Sequence, residues 1–269
     1  MQRLIYALYL LLAATPALAG DPVYPAFTIP AELKEKAHAV KRWEEITFRL
    51  TAEGEARLTQ HYVITVLDPN GDDEASLTEY YDKLREIRSV RGVLYDALGK
   101  TVKKLKQSDV EDVSALSSSL ITDGRIKKHM FNYNFYPYTV EYEIETRYNC
   151  TSLFPYWVPQ SGDGMAVEHS RMVVSVPQGY TLRHREYNYT GNPQETTEKG
   201  VRTYTWEVKN MKVPPDEALA PAWWRRTTVV RLSPSTFEME RYKGNMSSWE
   251  GFGKFMYALN QGRDQLPGN

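Results

Sequence analysis

The chain has 269 residues, with 33 Lys and Arg against 34 Asp and Glu, a single cysteine, and 12% aromatic residues that include 19 tyrosines. Near-neutral charge with both signs interspersed gives no footing for a nucleic-acid-binding or basic membrane-surface role. A lone thiol excludes a disulfide framework and a cysteine-rich zinc centre, so a packed core must hold the fold.

Residues 1–19 read as a secretory signal peptide. Arg3 supplies the positive start, 4–14 the apolar run, and Ala17-Leu18-Ala19 the small-residue site after which the leader is cut. The run is shorter than the roughly 20 apolar residues of a membrane span. No later segment is apolar enough to cross a bilayer. An exported chain, soluble in the periplasm with no membrane contact after cleavage, is the expectation. The remainder divides into a β-sandwich domain over 20–246 and a C-terminal helix with the start of a linker over 247–269.

After a Pro-rich arm at 21–29 and a helical turn at 30–37, strands are expected at 42–51 and 56–67, around Glu53-Gly54-Glu55. Asp68-Pro69-Asn70-Gly71 is a strong turn signal. Strands follow at 77–84, 87–95 and 100–105. Residues 108–120 are serine-rich and read as a loop with a short helix at Asp109.

The segment 125–131 leads into the clearest strand, 136–148. There Val140, Tyr142, Ile144 and Tyr148 alternate with Glu141, Glu143, Glu145 and Arg147, giving one apolar and one charged face. Pro137 belongs at its start, because proline cannot donate to a ladder. Further strands are expected at 167–176, 181–189, around Tyr204, Trp206 and Val208, at 228–232 and at 236–241, with a Pro- and Ala-rich crossing at 217–224. The period changes only at the end. Ser247-Ser248-Trp249-Glu250 starts a helix with a serine cap, in which Trp249, Phe252, Phe255, Met256 and Leu259 recur at helical spacing, and Gly262 to Pro267 stops it. Many short strands with turns rich in Gly, Asn and Pro indicate an all-β, antiparallel, immunoglobulin-like sandwich with a short C-terminal α-helix.

Candidate chemistry is sparse. Cys150 follows a strand rather than opening a helix, so it reads as a structural thiol. His38, His61, His129, His169 and His184 show no i,i+4 metal pair. Glu141 and Glu143 stand about 7 Å apart on one strand face, a spacing that mimics a glycosidase pair, but Arg147 beside them favours a solvated charged face. No catalytic residue, cofactor or metal ligand is expected. The aromatics Tyr133, Tyr136, Tyr138, Phe154, Tyr156 and Trp157 form a candidate binding surface for a peptide, protein or glycan.

Several ordered blocks carry a family resemblance: GVLYDALGKTVKKLKQSDVEDVSA at 92–115, DGRIKKHMF at 123–131, YPYTVEYEIE at 136–145, FPYWVPQ at 154–160 and SWEGFGKFMYALNQGRDQLP at 248–267. Together, over roughly 40–267, they resemble the N-terminal domain of unknown function that precedes a transglutaminase-like domain in periplasmic proteins of Bacteroidota. The resemblance implies an immunoglobulin-like sandwich followed by a domain with a papain-type Cys-His-Asp triad. The positions that would match that triad are absent here. The expected role is therefore a non-catalytic exported module that packs on a transglutaminase-like domain, in cis or in trans, or presents protein or cell-wall peptide to it. The alternative is a free-standing glycan- or peptide-binding sandwich.

Overall fold

The computed structural model describes residues 23–115, 123–215, 219–222 and 225–263. The expected leader lies outside them, as do parts of the serine-rich loop, of the 217–224 crossing and of the C-terminal stop.

The strands are β1 (Ala39–Ala52), β2 (Glu55–Val66), β3 (Leu77–Tyr81), β4 (Arg85–Tyr95), β5 (Thr101–Lys104), β6 (Glu111–Ser114), β7 (Arg125–His129), β8 (Tyr138–Tyr148), β9 (Tyr156–Trp157), β10 (Met165–Pro177), β11 (Arg183–Tyr187), β12 (Gln194–Glu198), β13 (Val201–Met211), β14 (Val229–Ser233), β15 (Thr236–Met239) and β16 (Tyr242–Asn245). Among the described residues two α-helices, α1 (Ala31–Lys34) and α2 (Trp249–Asn260), accompany them. Eight strands form one large sheet in the order β12-β13-β10-β1-β2-β8-β4-β5. Two three-stranded sheets, β3-β7-β6 and β11-β14-β9, and the β15-β16 hairpin make up the rest. The protein is thus mostly β, with several antiparallel sheets and no closed barrel.

Strict alternation places the core. Opposite pairs such as Tyr62 with Tyr142 and Ile64 with Val140 put the apolar side chains of β2 and β8 on one face of the large sheet. Two apolar clusters occupy the two ends of that face. One gathers Ile64, Val90, Val140, Tyr142 and Ile144 with Leu77 of β3 and Phe131 beyond β7. The other gathers Phe48, Leu58, Met172, Val174 and Trp206 with Trp157 of β9 and Val230 of β14. Each small sheet is therefore a lid on one end of the large one. Gly92 is required where Tyr142 crosses it, since a Cβ there would meet the ring at 2.9 Å. The opposite face of the large sheet is largely polar, with Trp43 beside Val63 on it and Leu33 of α1 packed on Val40 and Ala166.

Two expectations need correction. First, β1 and β10 pair in parallel, with Glu44 opposite Ser170 and Phe48 opposite Val174. An immunoglobulin domain opposes two antiparallel sheets of similar size, whereas here one large sheet carries two small lids. Second, the loop at 108–120 contains β6, and the Asp68 turn opens into a 3₁₀ helix over Pro69–Ala75 with Asp68 as its cap. The apolar stripe of α2 is only partly covered. Phe255 is buried, while Trp249 and Met256 lie exposed.

The lid strand β3 holds one unusual side chain. Leu77 faces the core, and two residues on, Glu79 faces the same way and accepts a hydrogen bond from Gln60 Nε2 at 2.9 Å. Burial pushes this carboxyl up to about 7, against the smaller downward pull of the Gln60 bond and Arg85.

Candidate functional site

The charged face of β8 is a ladder of pairs. Glu141 accepts from Tyr95 OH at 2.6 Å and pairs with His61 Nε2 at 2.8 Å. Glu143 meets Arg91 at 3.3 Å, Glu145 meets Arg57 at 3.5 Å, and Arg147 meets Glu55 at 3.6 Å. The His61 bond holds the Glu141 carboxyl below its ordinary value, and the same bond raises the His61 imidazole. A general acid needs the opposite displacement, a carboxyl held protonated near neutral pH. The ladder fits cross-strand stabilisation of an open sheet face. The same face carries Trp43, with the Arg171 guanidinium over its ring and the His169 edge against it at 4.5 Å.

Inside the core lies a polar network that the sequence did not signal. Glu44 accepts from Lys41 Nζ at 2.5 Å, from Ser170 Oγ at 2.5 Å and from Trp157 Nε1 at 3.1 Å, while Trp157 also donates to Ser170 at 2.9 Å. All four residues are buried. Every partner is supplied, as burial of a charged pair demands. A polar residue at 44 in an apolar period, with Lys three before it, was the one hint.

The six candidate aromatics do not share a surface. Tyr133, Tyr136 and Tyr138 belong to the cluster under β3, where the hydroxyls of Tyr136 and Tyr138 each donate to Asp72 at 2.7 Å. Phe154 and Trp157 belong to the other cluster, Phe154 lying against Phe48 at 4.8 Å. Tyr156 alone is widely open, at 64% exposure. Aromatic spacing in sequence could not separate these, because β8 carries the chain from one end of the sheet to the other.

Cys150 is buried, with Sγ 3.1 Å from Ser152 Oγ. The histidines are scattered: His38 pairs with Asp68, His129 with the Tyr142 hydroxyl, His169 with Glu207 and His184 with Glu186. Among the described residues no group of three His, Cys, Asp or Glu side chains is placed to hold a metal ion. Nor, among them, is any helix long and apolar enough to cross a membrane.

The most distinctive exposed apolar surface is on α2. Ser248 Oγ accepts from Gly251 N–H at 3.0 Å and so starts the helix at Trp249. Phe255 then plugs against Phe237 of β15 at 4.7 Å. Gly244 on β16 makes room for the Phe237 ring, since a Cβ at that position would overlap it. With one side anchored, Trp249 at 89% exposure and Tyr257 at 73% face outward. A cavity of about 380 Å³ opens beside Trp249, lined by Arg183, Ser233, Met246, Ser248 and Phe252.

Fold and surface together define a β-rich module with lidded sheets and a capped, half-covered terminal helix. The chain belongs to the family Domain of Unknown Function with solved-structure structure (DUF3857), whose model matches residues 52–215, more than half of the 269. No curated protein matches it. Among solved structures it is similar to a candidate protease from Parabacteroides distasonis, with a TM-score of 0.61 and 14% identity over 73% of this chain. The match covers 40% of that protein's length. A zinc metallopeptidase of the M1 class from Deinococcus radiodurans, bound to a Tyr-Ser-Ala substrate, aligns at a TM-score of 0.35 and 9% identity over 77% of this chain and 46% of its own.

Proposed function

We propose that this chain is a non-catalytic, exported accessory module of a larger peptide-processing protein, and that α2 is its docking element. The partner is a transglutaminase-like domain of the papain type, in cis or in trans. Acyl transfer or hydrolysis of protein or cell-wall peptide takes place on that domain. The observation that carries the reading is the half-covered α2, anchored by Phe255 while Trp249 and Tyr257 face outward. Exposed Trp and Tyr beside a cavity are the residues that most often anchor an interface. The fold shared with a longer, candidate protease supports the same reading. The paired state of Glu141 and the burial of Cys150 agree with a scaffold role for both.

The test is calorimetric titration of this chain with a separately expressed papain-type transglutaminase-like domain. Saturable binding is expected, lost in Trp249→Ala and retained in Tyr156→Ala. Absence of binding, or binding indifferent to Trp249→Ala, overturns the proposal. So does turnover of a fluorogenic peptide by this chain alone that Cys150→Ala abolishes.

A further inference from the structure

The outer surface of the β11-β14-β9 lid carries a charge pattern that folding does not explain. In the register of that sheet Arg185 stands directly opposite Arg231, and Arg231 stands opposite Tyr156. Facing side chains on paired strands lie about 5 Å apart, and like charges placed so repel. The register cannot slip to relieve this. The alternate residues Glu186, Val230 and Trp157 face inward, and Trp157 and Val230 are fully buried in the core. The arginines are therefore held outward.

On the large sheet Arg57, Arg91, Arg147 and Arg171 each meet a carboxylate, while Arg202 turns to the Tyr204 hydroxyl. Among the described residues no carboxylate forms an ion pair with Arg185, Arg225 or Arg231. Arg185 instead lies over the ring of Tyr187 at 5.2 Å. The adjacent acid, Glu186, is engaged by Trp206 Nε1 at 2.8 Å and His184 Nδ1 at 2.7 Å. Alongside the row is a cavity of about 770 Å³, lined by Glu186, Tyr187, Asn188, Arg225, Val229 and Arg231.

We infer that this lid surface binds an acidic peptide in extended conformation. The guanidinium fork matches carboxylates in a bidentate manner. Arg185 and Arg231 form the carboxylate-facing pair; Arg183, about 6.8 Å back along β11, is turned to the Met246 carbonyl and marks the end of the row. Tyr156 and Tyr187 offer ring faces to the residues between the carboxylates. A lipid surface would call for a bulging apolar patch, whereas this row borders a cavity and keeps a strand repeat. The inference stands on the lid's charge pattern and does not require the docking role of α2.

The experiment is fluorescence anisotropy of the full chain with a fluorescein-labelled peptide of alternating Glu and Thr, against an alternating Lys and Thr control. Saturable binding of the acidic peptide alone is expected, weakening as salt is added. The double variant Arg185→Gln, Arg231→Gln should bind about tenfold or more weakly, since hydrogen bonds to charged groups are lost. Its melting temperature should hold or rise, because a like-charge pair has gone. Arg57→Gln, on the paired face, should bind as the parent does. The inference is overturned by unchanged binding in the double variant, by absence of saturable binding, or by tighter retention of oligogalacturonate or phosphatidylglycerol vesicles than of the acidic peptide.

Discussion

Glu79 offers the most direct test of the physical account. Its carboxyl faces the core from β3, takes one hydrogen bond from Gln60, and is pushed up to about 7 by burial. Because the folded value exceeds the unfolded one, the folded protein holds this proton more tightly. The resulting stability is fully present below the ordinary value of 4.5 and is lost as pH rises through about 7. The span between the two values corresponds to about 3 kcal/mol as a ceiling, lowered by the water that still reaches the side chain. Glu79→Gln mimics the protonated acid in shape and keeps an acceptor for Gln60. Urea unfolding followed by the fluorescence of the 6 tryptophans should show parent and variant nearly equal at about pH 4.5, below the shift. At about pH 8.5 the variant should be the more stable, its midpoint higher by up to about 1 M for a slope of about 3 kcal/mol/M. A parent-to-variant difference that is the same at both pH values would refute the reasoning.

Gly244→Ala should destabilise by about 1–3 kcal/mol, because its methyl overlaps Phe237 and that ring has no room to move; limited proteolysis should then cut near α2 first. Ser248→Ala removes the cap on Gly251 and should cost about 1 kcal/mol of helix stability, read as faster amide exchange in the first turn of α2. Trp157→Phe deprives Glu44 and Ser170 of a buried donor and should cost about 1–3 kcal/mol; an unchanged urea midpoint would show that the network does not stabilise the fold.

Much of the fold was legible because β8, β2 and β10 alternate cleanly and one face of each is buried. The α2 start was legible from Ser248, whose side chain has a local job. Pairing was not. The parallel contact of β1 with β10 joins segments far apart in sequence, and no local pattern records a partner. Strands β6 and β12 were missed because all their residues are exposed, leaving no alternation to read. The aromatic surface was misjudged for a related reason. Aromatic side chains look alike in sequence whether they fill a core, as Trp157 does, or stand in water, as Tyr156 does, and these two are adjacent residues on opposite faces of one strand. The arginine row on β11 and β14 became visible only with the register, since opposition across strands is a property of pairing.

The parallel seam between β1 and β10 has a consequence for how the chain reaches this state. On one side of it, β1, β2, β8, β4 and β5 come from residues 39–148; on the other, β10, β13 and β12 come from 165–211. Within these groups β1 and β2, β4 and β5, and β12 and β13 are neighbours joined by short turns, whereas β8 enters between β2 and β4 from farther along the chain. The seam joins residues such as Glu44 and Ser170, 126 apart, a wider separation than the pairing of β2 with β8 has to close. Loop-closure entropy makes that the slow, late event. The Lys41, Glu44, Ser170 and Trp157 network sits on the seam, where its hydrogen bonds are complete only if both halves arrive in one register. It acts as the latch that closes the sheet, and its loss should accelerate opening far more than it slows closing.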